Sequence, residues 1–530
     1  MIQKFKKLSW LISSLFILSI ALIGCSSETS KETNESNNNT VTKKGGDIHI
    51  AIDAQPPTLD PQISTTTATK EIARHVFETL LVLNPKYEVE PMLAESYEKS
   101  EDGLTYTFHL RKGVKFHNGK EMTAEDVVAS MNRWLVKSTR AANAIGKGQF
   151  VEKDPYTVEL KIEKPTIGVL DVIASTNQFA AIMPKEIIDN APKDGITEIV
   201  GTGPFKLVEW KPDQYIKLTK YDDYKPVDAP SNGLAGKKEV FVDNLVFDVV
   251  TDSSTRLAGI TTGQYQIAYQ ISYDNYDQIN SSPDIKPSLN LYGGVAFVFN
   301  KKQGPFTNQK LRQAVNTGIN NEDVLMGALG NKKFYRLDNG LMYKEQAKWY
   351  TDAGKEFYNQ HDKEKAKELL KEAGYNGEEV HILATRDYEY IYNTAVVMKQ
   401  QLEAIGIKVK IDVVDWATLT TKRNDPSAWD AFITGFSPVS IPTQTLPLDP
   451  NYAGWPVDAK LQQLTEEIRT ASSDKEAMAK WDELQAYNWK EYMAYINIGD
   501  FLTFSAYRDK EIKGNGYFEG IILWNTSLTK

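Results

Sequence analysis

Short apolar/polar alternations recur along this chain, separated by helices with readable caps, and that interleaving restricts the fold more than any other feature. The period-two runs are Ile48, Ile50 and Ile52; Leu104, Tyr106, Phe108 and Leu110; Tyr156, Val158, Leu160 and Ile162; and Ile407, Val409, Ile411 and Val413. Each is predicted to be a half-buried strand. Between them, Thr123 opens a helix carrying Val127, Val128, Met131, Trp134 and Leu135, and Ser473 with Glu476 reads as a capping box ahead of Met478 and Trp481. Asp362 opens another, with Ala366, Leu369, Leu370 and Ala373 on one face and Gly374 closing it. From Asp362 to Val414 the order is helix, strand, helix, strand, with Gly406 ending the second helix. Strand faces interspersed in this way are covered by helix layers, so the fold class is α/β.

The chain has 530 residues, and single hydrophobic cores stop growing near ~250–300 residues. At least two domains follow. No linker rich in Pro or Ser divides Asp47 from Lys530, so the domains are expected to interleave, the chain crossing between lobes more than once. A net charge of −9, from 61 basic and 70 acidic residues, argues against a polyanion-binding surface, and no nucleic-acid partner is expected.

Lys4, Lys6 and Lys7 precede an apolar run from Leu8 to Ile23, the n-region and h-region of an export signal; the run is shorter than the ~20 residues of a spanning helix. It ends in Leu22-Ile23-Gly24-Cys25, which resembles the bacterial lipobox, where the cysteine is lipidated after cleavage. Cys25 is the only cysteine, so it has no disulfide partner within the chain. Residues 1–24 are read as a lipoprotein signal peptide and 25–46, rich in Ser, Thr, Asn and Glu, as a flexible tether. The globular part is expected outside the cytoplasm, lipid-anchored through Cys25 to the outer face of the bacterial cell membrane.

The residues give no sign of catalysis. The six histidines are scattered, without His-Glu-x-x-His or paired-cysteine spacing, so no metal site is expected. Gly435-Phe436-Ser437-Pro438 comes nearest to a nucleophile elbow, but proline stands where a helix should start and donate a backbone N–H. Gly146-Lys147-Gly148 and Gly201-Thr202-Gly203-Pro204 lack the Gly-Lys-Ser/Thr of a phosphate loop. Neither an enzyme nor a cofactor is expected. Aromatic residues, by contrast, are plentiful: 10 Trp, 26 Tyr and 20 Phe, several in loop-like strings such as Tyr292-Gly293-Gly294 and Arg386-Asp387-Tyr388-Glu389-Tyr390. Large contact area with a polar handle suits a water-excluding ligand cleft, although core packing is the simpler reading for any one of them.

A family resemblance rests on longer strings. Pro56-Pro57-Thr58-Leu59-Asp60-Pro61, the stretch from Leu93-Ala94-Glu95-Ser96-Tyr97 to Val114-Lys115-Phe116-His117-Asn118-Gly119, Thr123-Ala124-Glu125-Asp126-Val127, Gly201-Thr202-Gly203-Pro204-Phe205, the segment Phe306 to Ile319 and Val414-Asp415-Trp416 are together similar to the family 5 extracellular solute-binding proteins, the oligopeptide and dipeptide receptors of ABC importers. The resemblance covers Asp47 to Lys530. It implies a two-lobed periplasmic-binding-protein-like clamp (type II, cluster C) with an extra inserted domain: lobe I from 47–88, 203–288 and 499–530, domain II from 89–202, and lobe II from 289–498. It also implies a monomer that captures a peptide or related small molecule between its lobes and passes it, unaltered, to a membrane permease with its ATPase subunits.

Carried over by position, Trp416 would line the cleft, and Phe436 would stand in a Gly-Trp-x-x-Asp-like stretch whose acid holds a peptide's α-ammonium. That acid is Val439 here. A buried ammonium opposite valine keeps its desolvation cost without a charge-assisted bond, so this receptor is not expected to read a free N-terminus in the usual way unless Asp449, Asp415 or Asp387 substitutes. Arg386 would clamp a ligand carboxylate. Gln178, Tyr292, Gly294, Asp387, Tyr388 and Ser437 complete the expected lining. Open alternatives are a non-peptide solute (an opine, a metal chelate or a sugar derivative) and a secreted hydrolase or sensor on the same fold.

Overall fold

The computed structural model describes residues 42–529; the signal segment, Cys25 and most of the expected tether lie outside the described residues. The globular fold begins earlier than Asp47: Thr42–Lys43 pairs antiparallel with Leu528–Thr529, and the Gly45 N–H donates to the Phe241 carbonyl at 2.7 Å. The polar composition of this stretch gave no hint of it, because the edge it pairs with comes from the other end of the chain.

An eleven-stranded mixed sheet runs through the molecule. One half, from segments expected in lobe I, orders Ile267–Ala268, Asp47–Ile52, Asn244–Val249, Tyr215–Lys220 and Phe205–Lys211; the other, from segments expected in lobe II, orders Val409–Val413, Val380–Ala384 and Ala431–Phe436. Two long antiparallel strands, Lys286–Phe299 and Tyr495–Tyr507, join the halves. Their lobe I ends pair Lys286 with Tyr507, while Gly294 to Phe299 pairs with Phe436 to Ala431 in lobe II. The expected lobe limits at 288/289 and 498/499 thus fall inside continuous strands, which no change of periodicity announces. The ladder slips between Leu291 and Gly293, leaving Tyr292 unpaired at the junction, and such a bulge bends and twists a ribbon.

The segment between Ala94 and Ile162 forms its own four-stranded antiparallel sheet, from Ala94–Lys99, Thr105–Leu110, Thr157–Ile162 and Gly148–Asp154. The helix Ala124–Lys137 packs on it, capped as its sequence predicts: Asp126 accepts from the Thr123 N–H at 3.1 Å. The parallel unit predicted in lobe II is present as Lys363–Glu372, Val380–Ala384, Glu389–Ile405 and Val409–Val413. Two local expectations are adjusted. Val413 is exposed, because its strand is the outermost of the sheet. Glu476 accepts from Ser472, not from the backbone N–H of Ser473, so that cap is one-sided. Buried side chains of the inserted domain (Phe108, Trp134) and of lobe II (Phe297, Trp481) form one connected apolar cluster, and lobe I has its own around Ile50, Phe205 and Phe247.

Candidate functional site

Where the joining strands pass from one half-sheet to the other, the backbones crowd. A Cβ on Gly293 would stand 2.2 Å from the Phe436 carbonyl oxygen, so only glycine lets the end of Ala431–Phe436 approach the crossing strand. Beside that approach lies a cavity of about 330 Å³. Thr65 of lobe I, Thr139, Arg140 and Asn177 of the inserted domain, and Gly294, Trp416 and Phe436 of lobe II all line it. A larger hollow of about 610 Å³, around Lys301, Arg312 and Trp455, is lined by residues of lobe II alone.

Direct contacts join the segment expected as the inserted domain to the one expected as lobe II. The Ile167 N–H donates to the Arg469 carbonyl at 2.9 Å, and Asn177 Nδ2 donates to the Pro438 carbonyl at 3.1 Å. Lys348 Nζ lies 3.4 Å from Asp171 across the interface and 3.2 Å from Asp474 in its own lobe.

Four of the nine residues expected to bind ligand line this cavity: Trp416, Phe436, Ser437 and Gly294. Trp416 opens the helix Trp416–Lys422, whose N-cap, Asp415, accepts from the Thr418 N–H at 2.9 Å. Phe436 packs edge-on to Tyr452 at 5.8 Å, and its carbonyl accepts from the Tyr343 hydroxyl at 2.9 Å. Asp387 and Tyr388 stand one layer back: the Asp387 carboxylate accepts the Trp416 N–H at 2.7 Å, and the Tyr388 ring meets the indole edge-on at 5.1 Å. Tyr292 packs on Phe501 at 5.3 Å; burial pushes its hydroxyl up to about 12, with a hydrogen bond to Thr67 opposing.

Gln178 and Arg386 lie elsewhere. Gln178 is an internal post of the inserted domain, its amide bonded to Ser138, Thr139 and the Ile63 carbonyl, and its own carbonyl accepting Trp134 Nε1 at 2.7 Å. Arg386 lies 4.2 Å over the Tyr392 ring and donates to its hydroxyl at 2.8 Å. None of the three acids weighed as replacements at Val439 lines the cavity: Asp415 is the helix cap, Asp387 holds Trp416, and Asp449 accepts from the Asn451 N–H at 2.8 Å.

The charges that do line it are Arg140 and Arg423, with no Asp, Glu or Lys among the described lining residues. Burial lowers the Arg140 pKa, with Glu519 opposing. Tyr452, Tyr495 and Tyr343 are each raised, by burial first, so they remain neutral hydroxyl donors around physiological pH. In the sequence, Ser138-Thr139-Arg140 and Thr421-Lys422-Arg423 look like solvated helix ends. No local signal separates these two arginines from the other basic residues of the chain.

The family model for Bacterial extracellular solute-binding proteins, family 5 Middle, matches residues 88–454. The chain belongs to this family. Among family 5 relatives, the one named Probable peptide ABC transporter periplasmic-binding protein y4tO, from Sinorhizobium fredii, is 28% identical over 84% of this chain and 87% of its own length. The Oligopeptide-binding protein AppA of Bacillus subtilis is 27% identical over 89% of this chain and 90% of its own. Among solved structures, that of AgaA from A. tumefaciens R10 with agropinic acid superposes with a TM-score of 0.76 at 25% identity, covering 92% of this chain and 99% of that one. The family 5 chain described here is therefore a two-lobed solute-binding protein of the ABC-importer class, and its relatives are transport components rather than enzymes.

Proposed function

We propose that this protein is the receptor of an ABC importer, that it captures a small peptide or peptide-like solute in the cavity between its lobes, and that it hands the solute on unaltered to a membrane permease. The observation that carries this reading is the inter-lobe cavity itself, because a guest touching Thr65, Asn177 and Trp416 at once would favour the closed arrangement over an open one. Its volume of about 330 Å³ is at the low end of small-molecule sites, which span roughly 300–1,000 Å³, and so supports a short guest. In the same reading Cys25 carries the lipid that keeps the receptor at the outer face of the membrane.

A non-peptide solute is the second reading. What favours it is the cavity's lack of a carboxylate among the described lining residues, since a peptide's α-ammonium would find no counter-charge there. Calorimetric titration with trialanine, its N-acetylated form and a nonapeptide tests the proposal. Binding of the trimer with little loss on acetylation is expected; tight binding of the nonapeptide, or cleavage of any peptide during the titration, would overturn it.

A further inference from the structure

We propose that the hollow of about 610 Å³ is a second binding site, sharing no lining residue with the cavity of Trp416, and that it takes a phosphate monoester with a small organic tail. Lys301, Lys302 and Arg312 line it, and no Asp or Glu does so among the described residues. None of the three is ion-paired among the described residues. Lys301 Nζ donates to the Phe299 and Ala494 carbonyls at 2.8 and 2.7 Å, and Arg312 donates to the carbonyls of Phe306, Thr307, Tyr492 and Met493. Lys302 Nζ lies 5.2 Å from the centre of the Trp455 ring. Arg312 is only 2% exposed and Lys301 is half-buried. Carbonyl dipoles hold the N–H groups of such cations but carry no net charge, so the desolvation cost of both stands without a counter-ion.

The two inner cations also oppose each other: burial lowers the Lys301 pKa, and the charge of Arg312 lowers it further. The acid that Arg312 feels is Asp458, which does not line the hollow. Its carboxylate caps the helix Ala459–Arg469, accepting from the Leu461 N–H at 2.8 Å, and accepts from the Tyr487 hydroxyl at 3.1 Å. One N–H of Lys301 and one of Arg312 Nη2 are left over once these acceptors are assigned, and the Lys302 ammonium keeps all of its own. A phosphate monoester carries nearly two negative charges at neutral pH and presents three acceptor oxygens, which matches three separate cations; a carboxylate brings one charge and two oxygens. Pro450, Trp455 and Val457 line the same hollow, Val457 with 70% of its surface exposed, and this apolar contact suits an organic ester better than a bare ion. Trp455 holds a left-handed backbone at φ 45°, as does Met493, whose carbonyl Arg312 binds, at φ 53°. Strained non-glycine backbone of this kind gathers at ligand sites.

The phosphate group could come from a soluble metabolite or from a lipid headgroup, and the experiment separates these sources. The intact protein is titrated calorimetrically with glycerol 1-phosphate, with dihexanoyl phosphatidic acid below its micelle concentration, and with glycerol and acetate as controls. One equivalent of each phosphate is expected to bind, and both controls much more weakly. Phosphatidic acid binding at least about tenfold tighter than glycerol 1-phosphate marks a lipid source, and equal or weaker binding a soluble one; both support the proposal. Because Arg312 also holds four backbone carbonyls, its replacement risks the fold, so the exposed Lys302 carries the decision. Lys302→Gln should weaken binding about fivefold and Lys302→Glu at least about tenfold, since a charge-assisted bond is lost in the first and a repulsion added in the second. In the unaltered protein, bound glycerol 1-phosphate should slow acylation of Lys301 and Lys302 by an N-hydroxysuccinimide ester, read by peptide mass spectrometry, and leave the other lysines labelled as before. Absence of phosphate binding, acetate binding as tightly as the esters, full affinity in Lys302→Glu, or unchanged labelling of Lys301 and Lys302 would each overturn the proposal. Displacement of the ester by trialanine would do so too, by placing it in the inter-lobe cavity. A protein that binds no trialanine but still binds the ester at Lys302 would refute the peptide reading and leave this site standing.

Discussion

The Asp387 carboxylate accepts the backbone N–H of Trp416 at 2.7 Å, so an acid at the end of one lobe II strand fixes the indole that a neighbouring strand delivers to the cavity. The bond holds the first residue of the helix Trp416–Lys422, and Tyr388 buttresses the same ring. Asp387 thus acts through Trp416 and does not itself line the cavity.

Replacing Asp387 by alanine should weaken ligand binding about five- to tenfold, the equivalent of ~1 kcal/mol for an exposed hydrogen bond to a charged acceptor. Asn at the same position should recover most of the affinity, because its amide oxygen still accepts. Calorimetry together with tryptophan fluorescence of the unliganded protein tests this. A full-strength Asp387→Ala receptor would show that the indole needs no such support.

Lys348 of the expected lobe II pairs with Asp171 of the expected inserted domain without touching the cavity. The lysine side chain is more than a third exposed, and solvent-screened pairs of this kind contribute about 0.2–1 kcal/mol. Lys348→Ala is expected to weaken binding no more than about fivefold, and to raise the fraction of open molecules seen by small-angle X-ray scattering without ligand. High salt should mimic the substitution in the unaltered protein and have little further effect on the variant.

His75 is buried with both ring nitrogens committed: Nδ1 faces the Glu71 carbonyl at 2.9 Å, and Nε2 accepts from the Leu523 N–H at 3.1 Å. Burial, with Arg74 adding to it, lowers its pKa to about 3. His117 is lowered to about 4, again by burial, and bridges the Gly203 carbonyl and the Gly201 N–H. A histidine depressed in the folded state takes up its proton on unfolding, so its stabilising contribution is complete above pH ~6.5 and is lost as the pH falls toward the folded value. Each should make stability fall by up to ~1.4 kcal/mol per pH unit between pH ~6 and 4. Glu71 and Asp500, whose carboxyls burial raises to about 7, release protons on unfolding over the same range, so the histidines are read by difference: His75→Gln should lower the proton uptake on denaturant unfolding by about one. An uptake unchanged in His75→Gln would mean that this ring is not held neutral.

Gly293→Ala would place a methyl group 2.2 Å from the Phe436 carbonyl oxygen. That contact is with backbone, so the two strands must part. A loss of about 1–3 kcal/mol, the usual range for overpacking, is expected in urea unfolding. Ligand affinity should drop further than for an alanine placed at Gly330, whose surroundings are open.

The sequence by itself determined the element types and the family. Alternation at Ile48–Ile52 and Leu104–Leu110, the caps at Thr123, Asp362 and Gly406, and the long strings around Leu93–Gly119 are local signals, and each is reproduced or matched in the folded chain. The family resemblance, carried over by position, pointed to Trp416 and Phe436, and both line the cavity. Only the tertiary structure decided which charges share that crevice. Arg386, beside a helix start, turns onto Tyr392, while Arg140 and Arg423, separated by more than half the chain, become cavity walls because the joining strands bring the inserted domain and lobe II face to face. A side chain's role as ligand contact or surface charge depends on what packs opposite it, and for these arginines that partner is set by strand pairing between distant segments rather than by neighbouring residues.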